Sequence, residues 1–263
     1  MLLALDAGNT NITIGAFEEA SLVGRWRLRT VLDQTADEFG VLLRNVFSLS
    51  GLNLAKVDGV IVSSVVPPLD SALALMSEKY FDQTAVFVTH STDTGLEIAY
   101  DNPAEVGADR IVNSVAAFAR YRGPCVVVDL GTAITFDAVS SSGRYLGGLI
   151  AAGIGIAVEA LFARTARLPL VDFREPAKLI GSNTVGSIQS GLYYGAIGMI
   201  DGILERMIAE LGPGTRIVAT GGQAGMITRG SRYLKDTDVD EDLTLQGLRM
   251  IWERGRPAGS GSH

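Results

Sequence analysis

One short pattern occurs twice in the chain: a buried strand ends in Asp-x-Gly, and a second strand follows the turn. The first copy ends in Asp6-Ala7-Gly8 and the second in Asp129-Leu130-Gly131. After each turn, apolar residues alternate with smaller or polar ones, which is the period of a half-buried strand. Two such corners, each between two strands, indicate that a whole folding unit is duplicated.

The elements around each copy predict the same α/β lobe. In the first half, three strands are followed by a capping box at Thr35-Ala36-Asp37-Glu38, which marks a helix start. A strand, a helix and a further strand follow, and β-β-β-α-β-α-β is the order of a ribonuclease H-like lobe. We therefore predict an N-terminal lobe over residues 1–115, a C-terminal lobe over 116–254, and a flexible tail over 255–263.

Charge and composition narrow the function classes. The 263 residues carry a net charge of −7, which argues against a broad nucleic-acid footprint, because such a surface needs clustered Lys and Arg. No stretch is long and apolar enough to predict a membrane span. Cys125 is the single cysteine, so no internal disulfide can form, and we expect a cytoplasmic protein.

The two Asp-x-Gly corners have the chemistry of a phosphate site. Glycine lets backbone N–H groups approach a phosphate closely, and threonine hydroxyls near each turn can donate to phosphate oxygens. A carboxylate beside an anion is favourable when a cation lies between them. The alternative is structural, since turns favour Asp and Gly in any protein.

The cluster Thr220-Gly221-Gly222-Gln223-Ala224-Gly225 also follows a strand. Alone it is a weak signal of a ligand site, because loops are rich in glycine.

A different kind of loop joins the two halves. It contains Asp109 and Arg110 directly before an apolar helix face. An anion is favourable near a helix N-terminus, and a guanidinium can bind a carboxylate through two hydrogen bonds. This pair suits a substrate with a hydroxyl to deprotonate and a carboxylate to hold. The alternative for Asp109 is a helix cap.

Taken in order, these segments resemble type III pantothenate kinase, from Met1 to about Trp252. The ordered combination is highly specific, although each segment alone is not. The segments that carry the resemblance are Asp6-Ala7-Gly8-Asn9-Thr10-Asn11, Asp101-Asn102-Pro103, Gly107-Ala108-Asp109-Arg110, Asp129-Leu130-Gly131-Thr132-Ala133 and Gly147-Gly148-Leu149-Ile150.

The resemblance implies a fold and an activity. The fold is that of the actin, sugar-kinase and heat-shock ATPase superfamily, with two ribonuclease H-like lobes and the active site in the cleft between them. The activity is ATP-dependent phosphorylation of pantothenate to 4'-phosphopantothenate, the first step of coenzyme A biosynthesis. It further implies a homodimer, Mg²⁺ bound with ATP, and a monovalent cation, K⁺ or NH₄⁺.

It also implies individual roles. Asp109 matches the proton acceptor, Asp129 the ligand of the monovalent cation, and Asp6 a ligand of Mg²⁺, directly or through water. The residues that match ATP contacts are Asp6, Ala7, Gly8, Asn9, Thr10, Asn11, Ile12, Thr13 and Thr132. The residues that match substrate contacts are Tyr100, Gly107, Ala108, Asp109, Arg110 and Thr184.

One departure from the family pattern stands after the hairpin of the second lobe. The family usually has Pro-Gly where this chain has Ala152-Gly153. Proline fixes its own backbone torsion, so we expect a looser turn and a tuned pocket, with activity retained.

The rival interpretations are a sugar kinase or an exopolyphosphatase-type phosphatase on the same fold, and a non-enzymatic nucleotide switch or accessory factor for transcription. The loop that ends in Asp109-Arg110 speaks against both.

Overall fold

The computed structural model describes residues 1–256, apart from the side chain of Asp238. Contacts divide the chain into two compact units. The first comprises residues 1–116 together with the C-terminal residues from Leu243 onward, and the second comprises residues 117–242. Of the predicted tail, Gly255 ends the last helix and residues 257–263 lie outside the described part.

The first unit contains a mixed sheet with helices on both faces. Its strands are β1 (Leu2–Ala7), β2 (Asn11–Glu18), β3 (Ser21–Arg29), β4 (Gly59–Ser64) and β5 (Val86–Phe87). The short strand β6 (Glu97–Ile98) belongs to the same unit but not to this sheet. Its helices are α1 (Ala36–Leu49), α2 (Pro67–Phe81), most of α3 (Ala108–Tyr121) and α7 (Leu243–Gly255).

The second unit repeats this plan. Its strands are β7 (Cys125–Leu130), β8 (Ala133–Val139), β9 (Arg144–Ala152), β10 (Arg216–Thr220) and β11 (Asp238–Val239). Its helices are α4 (Ile154–Arg164), α5 (Thr184–Leu211) and α6 (Ala224–Ile227).

Strand order confirms the duplication that the two Asp-x-Gly corners predict. The first sheet runs β3-β2-β1-β4-β5, and the strands of the second unit run β9-β8-β7-β10-β11. In each, the first three strands are antiparallel, while the strands beyond the central one are parallel to it. This is the ribonuclease H-like order in both units. It brings the end of β1 beside that of β4, and the end of β7 beside that of β10.

Local signals account for the helix starts in the first unit. Thr35 caps α1 through its Oγ1, which accepts from the Glu38 N–H, and the Glu38 carboxylate accepts in return from the Thr35 N–H. This is the predicted capping box. Helix α2 begins at Pro67, where the missing N–H costs nothing because first-turn N–H groups have no helical partner.

The first sheet is buried on both faces, by different helices. Alternate residues of β1 and β4 face α1 and α2, among them Leu5 and Val62. The opposite face, which includes Ala4 and Ile61, packs with α3 and α7. The sequence-based boundary placed α7 in the second lobe, but its apolar residues complete the core of the first unit. We therefore assign α7 to the first unit, because its apolar residues are buried against this sheet.

Among the described residues, the structure contains no helix long and apolar enough to cross a membrane.

Candidate active site

The first Asp-x-Gly corner is a braced turn with exposed backbone. The Gly8 N–H donates to the Asn11 carbonyl oxygen at 3.0 Å. Thr30, just beyond β3, donates its hydroxyl to the Gly8 carbonyl oxygen at 2.6 Å and its N–H to the Thr10 carbonyl oxygen at 3.0 Å. Asn9, Thr10 and Asn11 are exposed. The turn is thus held from behind while its outer surface remains open to an anion.

Not every residue predicted to contact ATP can do so through its side chain. Ala7 and Ile12 are fully buried in the core that faces α1 and α2, so only their backbone is available. Asp6 and Thr13 are partly exposed and lie directly opposite each other on β1 and β2. These two side chains therefore belong to the face where a ligand of the turn could be reached.

The loop before α3 lies close to this corner. The Val65 N–H, just after β4, donates to the Ala7 carbonyl oxygen at 3.0 Å. Val65 Cγ1 lies 3.5 Å from the point that a Cβ on Gly107 would occupy. Asp109 Oδ1 lies 2.6 Å from that same point. Through Val65, the fold brings the predicted proton acceptor to the end of the sheet that carries the Asp6 turn.

Asp109 lies inside the first turn of α3, which begins at Ala108, and not before it as an N-cap would. Its Oδ1 accepts from the Arg110 N–H at 2.8 Å. Burial raises the pKa of Asp109 above the usual 3.8, against the opposing effects of that hydrogen bond and of the Arg110 charge. A carboxylate with a raised pKa is a better proton acceptor near neutral pH.

The other predicted substrate residues of this unit differ in exposure. Arg110 is only 7% exposed, so its charge acts from within the protein. Tyr100 is half-buried in the segment after β6. Ala108 is buried at the start of α3, which leaves its backbone as the accessible part.

In the second unit, two glycines surround the carboxylate of Asp129. Its Oδ1 lies 2.5 Å from the point that a Cβ on Gly221 would occupy and 3.4 Å from the corresponding point on Gly131. Gly221 has φ +93°, a torsion that favours glycine because a residue with a Cβ would be strained there. The Gln223 N–H also donates to the Leu130 carbonyl oxygen at 3.2 Å. The third glycine cluster, a weak signal in the sequence, is therefore part of the Asp129 corner.

Gly153 packs against the other side of the Asp129 corner. A Cβ on Gly153 would lie 2.1 Å from the Thr132 carbonyl oxygen and 2.7 Å from that of Gly131. Gly153 also precedes α4 as its N-cap without a side-chain hydrogen bond. Ala152 is exposed at the end of β9. The glycine of the family's Pro-Gly pair is thus required by backbone contact, and the residue before it is not held by burial.

Thr184 lies elsewhere in the second unit, as the first residue of α5. It lines a groove of about 720 Å³ with apolar residues of α4 and α5 and with the loop before α5. Asn183 caps α5 through its Oδ1, which accepts from the Gly186 N–H at 2.8 Å. The groove therefore combines apolar walls with the polar N-terminus of a long helix.

The donor sets fit the two cations that the resemblance implies. Mg²⁺ is commonly held by one or two carboxylates together with substrate phosphates and water, and Asp6 beside the open turn offers such a carboxylate. A monovalent cation suits oxygen ligands, and Asp129 Oδ1, which packs against Gly221 and Gly131 at the second corner, offers one.

Some of these contacts have no clear signal in the sequence. Val65 belongs to an apolar strand end, and nothing in its residue type marks it as the link between two loops. Gly221 and Gly153 stand out only as glycines, and the sequence does not indicate which atoms they approach. Each contact joins segments that are far apart in the chain, so only the folded structure reveals it.

Comparison with known proteins identifies the family. The model of the family described as type III pantothenate kinase matches residues 2–206. The type III pantothenate kinase of Solibacter usitatus is 69% identical over 98% of this chain and 98% of its own length. That of Koribacter versatilis is 54% identical over 97% and 96%, respectively.

Similarity to solved structures supports the fold. A protein described as a 2-dehydro-3-deoxygalactonokinase from Sinorhizobium meliloti aligns with a TM-score of 0.63 at 14% identity, over 98% of this chain and 100% of its own. At that identity the likeness concerns the fold alone, and it agrees with the two-lobed sugar-kinase architecture.

Proposed function

The chain belongs to the family of type III pantothenate kinases, and from this premise we propose that it transfers the γ-phosphoryl group of ATP to the primary hydroxyl of pantothenate, with Asp109 as general base. The product is 4'-phosphopantothenate, and the reaction is the first step of coenzyme A biosynthesis. The family match supports the activity, and the surroundings of Asp109 support its role in the reaction.

The observation that carries the assignment is the position of one carboxylate. Asp109 is held in the first turn of α3, is linked through Gly107 and Val65 to the Asp6 turn, and has a pKa raised by burial. A general base must lie near the phosphate site and must accept a proton near neutral pH. Asp109 has the environment that this role requires.

In the proposed reaction, the Asp109 carboxylate accepts the proton of the pantothenate hydroxyl as the oxygen attacks the γ-phosphorus. The new P–O bond forms as the bond to the bridging oxygen breaks, and ADP leaves. The exposed part of the turn, Asn9 to Asn11, holds the phosphates, while Tyr100 and Arg110 orient the acceptor. Phosphoryl transfer depends mainly on such positioning and electrostatics, and a general base contributes about 10²–10⁴-fold.

Two cations complete the proposal. Asp6 would hold Mg²⁺, directly or through water, and Asp129 would hold K⁺ or NH₄⁺, with Thr132 as a further ATP contact. When bound, such cations offset the negative charge of the phosphates. The exposed turn beside Asp6 and the matching position of Asp129 in the second unit support these assignments.

We further propose a homodimer formed through the second unit. Exposed apolar side chains are frequent on β9, on α4 and in the segment before α5, and they include Ile150 at 67%, Phe162 at 50% and Ile180 at 81% exposure. Apolar surface of this kind is typical of protein interfaces. The groove that contains Thr184 lies among these elements, so association would help to form the pantothenate site. Sedimentation that gives only the monomer mass would contradict this.

We place the enzyme in the cytoplasm, without nucleic-acid or membrane partners. The net charge of −7 argues against a nucleic-acid partner. The single, fully buried Cys125 fits a reducing compartment.

The test is ATP-dependent and pantothenate-dependent ADP release in the presence of Mg²⁺ and K⁺. Asp109→Asn removes the proton acceptor with little change in shape, and we expect kcat to fall by about 10²–10⁴-fold. Asp37→Asn is the matched control, because Asp37 is likewise the second residue of a 14-residue helix in the same unit.

Asp37→Asn should leave kcat within about twofold, as for a change at a remote surface residue. An Asp109→Asn enzyme whose kcat stays within about threefold of the wild type would rule out Asp109 as the base. ADP release with sugars, and none with pantothenate, would overturn the substrate assignment.

A further inference from the structure

A row of polar side chains crosses the first sheet at the level of Asp6. The register pairs Asp6 with Thr13 on β2 and with Ser63 on β4. Directly paired residues project from the same face of a sheet. Ile61, two residues before Ser63, lies on the face that packs with α3 and α7. Ser63 therefore flanks the Asp6 carboxylate on the side of the sheet where α3 begins.

Ser63 differs from the other two members of the row. It is 0% exposed, and its Oγ makes no hydrogen bond with the described residues. The next residue, Ser64, is satisfied, because it donates to Asp70 Oδ1 at 2.5 Å and accepts from the Val66 N–H at 3.2 Å. A buried hydroxyl without a partner is unfavourable, so its presence beside a carboxylate of the phosphate site needs an explanation.

The second unit has the same arrangement around its own aspartate. Asp129 is paired with Thr135 on β8 and with Thr220 on β10, the strand that corresponds to β4. Thr220 is 3% exposed. Each aspartate thus lies between two hydroxyl side chains, one of which is buried on the adjoining parallel strand. Residue volume alone does not account for a hydroxyl in both places, since alanine or valine would fill them.

We propose that Ser63 is a positioning residue for Asp6. Its hydroxyl donates to the Asp6 carboxylate when Mg²⁺ and nucleotide are bound, and thereby fixes the orientation in which that carboxylate faces the metal. Neighbouring strands lie about 4.8 Å apart, so rotation of the serine about χ1 between staggered rotamers is enough to bring the donor to its neighbour. Because Ser63 is buried, it acts through Asp6 and does not touch the substrate. The inference rests on the proposed role of Asp6 in nucleotide binding.

The test compares Ser63→Ala with Ser114→Ala. Ser114 is the matched control, because it is also 0% exposed, lies in the same unit on α3, and has an Oγ without a partner among the described residues. The main measurement is calorimetric binding of a non-hydrolysable ATP analogue, with and without Mg²⁺. Groups that orient a metal ligand typically contribute about 10–100-fold in metal affinity or activity.

We expect Ser63→Ala to weaken Mg²⁺-dependent binding of the analogue by about 10-fold or more and to leave binding without Mg²⁺ unchanged. Ser63→Thr keeps a hydroxyl, as in Thr220, and should therefore retain the Mg²⁺ dependence of the wild type. Ser114→Ala should not alter that dependence. If Ser63→Ala does not fold, Ser63→Cys, which nearly preserves the volume, takes its place in the same measurement.

Wild-type binding by the Ser63 variant would overturn the proposal. So would an equal loss with and without Mg²⁺, or the same loss in Ser114→Ala. The proposed function fails in a different way, when the wild-type protein binds the analogue with Mg²⁺ but releases no ADP with pantothenate. In that case the Ser63 comparison remains decisive, because its measurement requires no turnover.

Discussion

Asp37 and Asp109 occupy the same position in two helices of equal length, yet their surroundings drive their pKa values in opposite directions. Asp37 is exposed, and hydrogen bonds from Lys79 and Tyr80 lower its pKa. Burial raises the pKa of Asp109. A lowered carboxyl pKa stabilises the folded state above the unfolded pKa, whereas a raised one destabilises it there.

This contrast predicts opposite effects of two identical substitutions. At neutral pH, Asp109→Asn should raise the melting temperature, because it removes a charge that is poorly solvated in the folded state, and the gain should shrink as the pH falls through the raised pKa of Asp109. Asp37→Asn should lower the melting temperature slightly, since a surface ion pair contributes little. Thermal melts across the acidic range measure both, and a destabilised Asp109→Asn would show that the charge is well compensated.

At the scale of elements, the start of α4 contains two glycines with different surroundings. A Cβ on Gly153 would meet backbone carbonyl oxygens of Thr132 and Gly131, whereas a Cβ on Gly155 would have no atom within 4 Å. The same substitution at these two sites therefore separates the effect of backbone crowding from the effect of helix propensity.

We expect Gly155→Ala to stabilise the protein by about 0.5–1 kcal/mol, because alanine is the better helix former. Gly153→Ala should destabilise it and raise KM for ATP, because the Thr132 turn must move away from the new methyl group. Urea denaturation and steady-state kinetics test the pair. An unchanged KM in Gly153→Ala would mean that the Thr132 turn does not contribute to nucleotide binding.

At the scale of the whole molecule, the chain returns at its C-terminus to complete the unit with which it began. Leu245, Leu248 and Ile251 of α7 pack in the core formed with β1, β4 and α3. That core lies beneath the face of the sheet that carries Asp6 and the start of α3. Helix α7 thus stabilises the part of the unit that contains the proposed catalytic residues, although none of its own residues is proposed to take part in the reaction.

Leu248→Ala should therefore lower the free energy of unfolding by about 2–5 kcal/mol, the range for a leucine lost from a close-packed core. Leu49→Ala is the control, because Leu49 ends α1 and is 88% exposed. It should change the free energy of unfolding by less than about 0.5 kcal/mol. Equal effects in urea denaturation would contradict the assignment of α7 to this core.

Much of the fold could be predicted from the sequence, because the signals are local. The strands that end at Asp6 and Asp129 follow from runs of apolar residues, and α1 follows from the Thr35 capping box. Their order is enough to identify two ribonuclease H-like lobes. The order of the motifs identifies the family and singles out Asp109.

The tertiary structure decided what depends on residues far apart in the chain. The contacts of Gly153 and Gly221, the link through Val65 and the membership of α7 each join segments that no local pattern relates. The pKa of Asp109 depends on burial, and the hydroxyl of Ser63 comes beside Asp6 only through the strand register. Hydrophobic periodicity and capping act over a few residues, whereas close packing and desolvation exist only after the chain has folded.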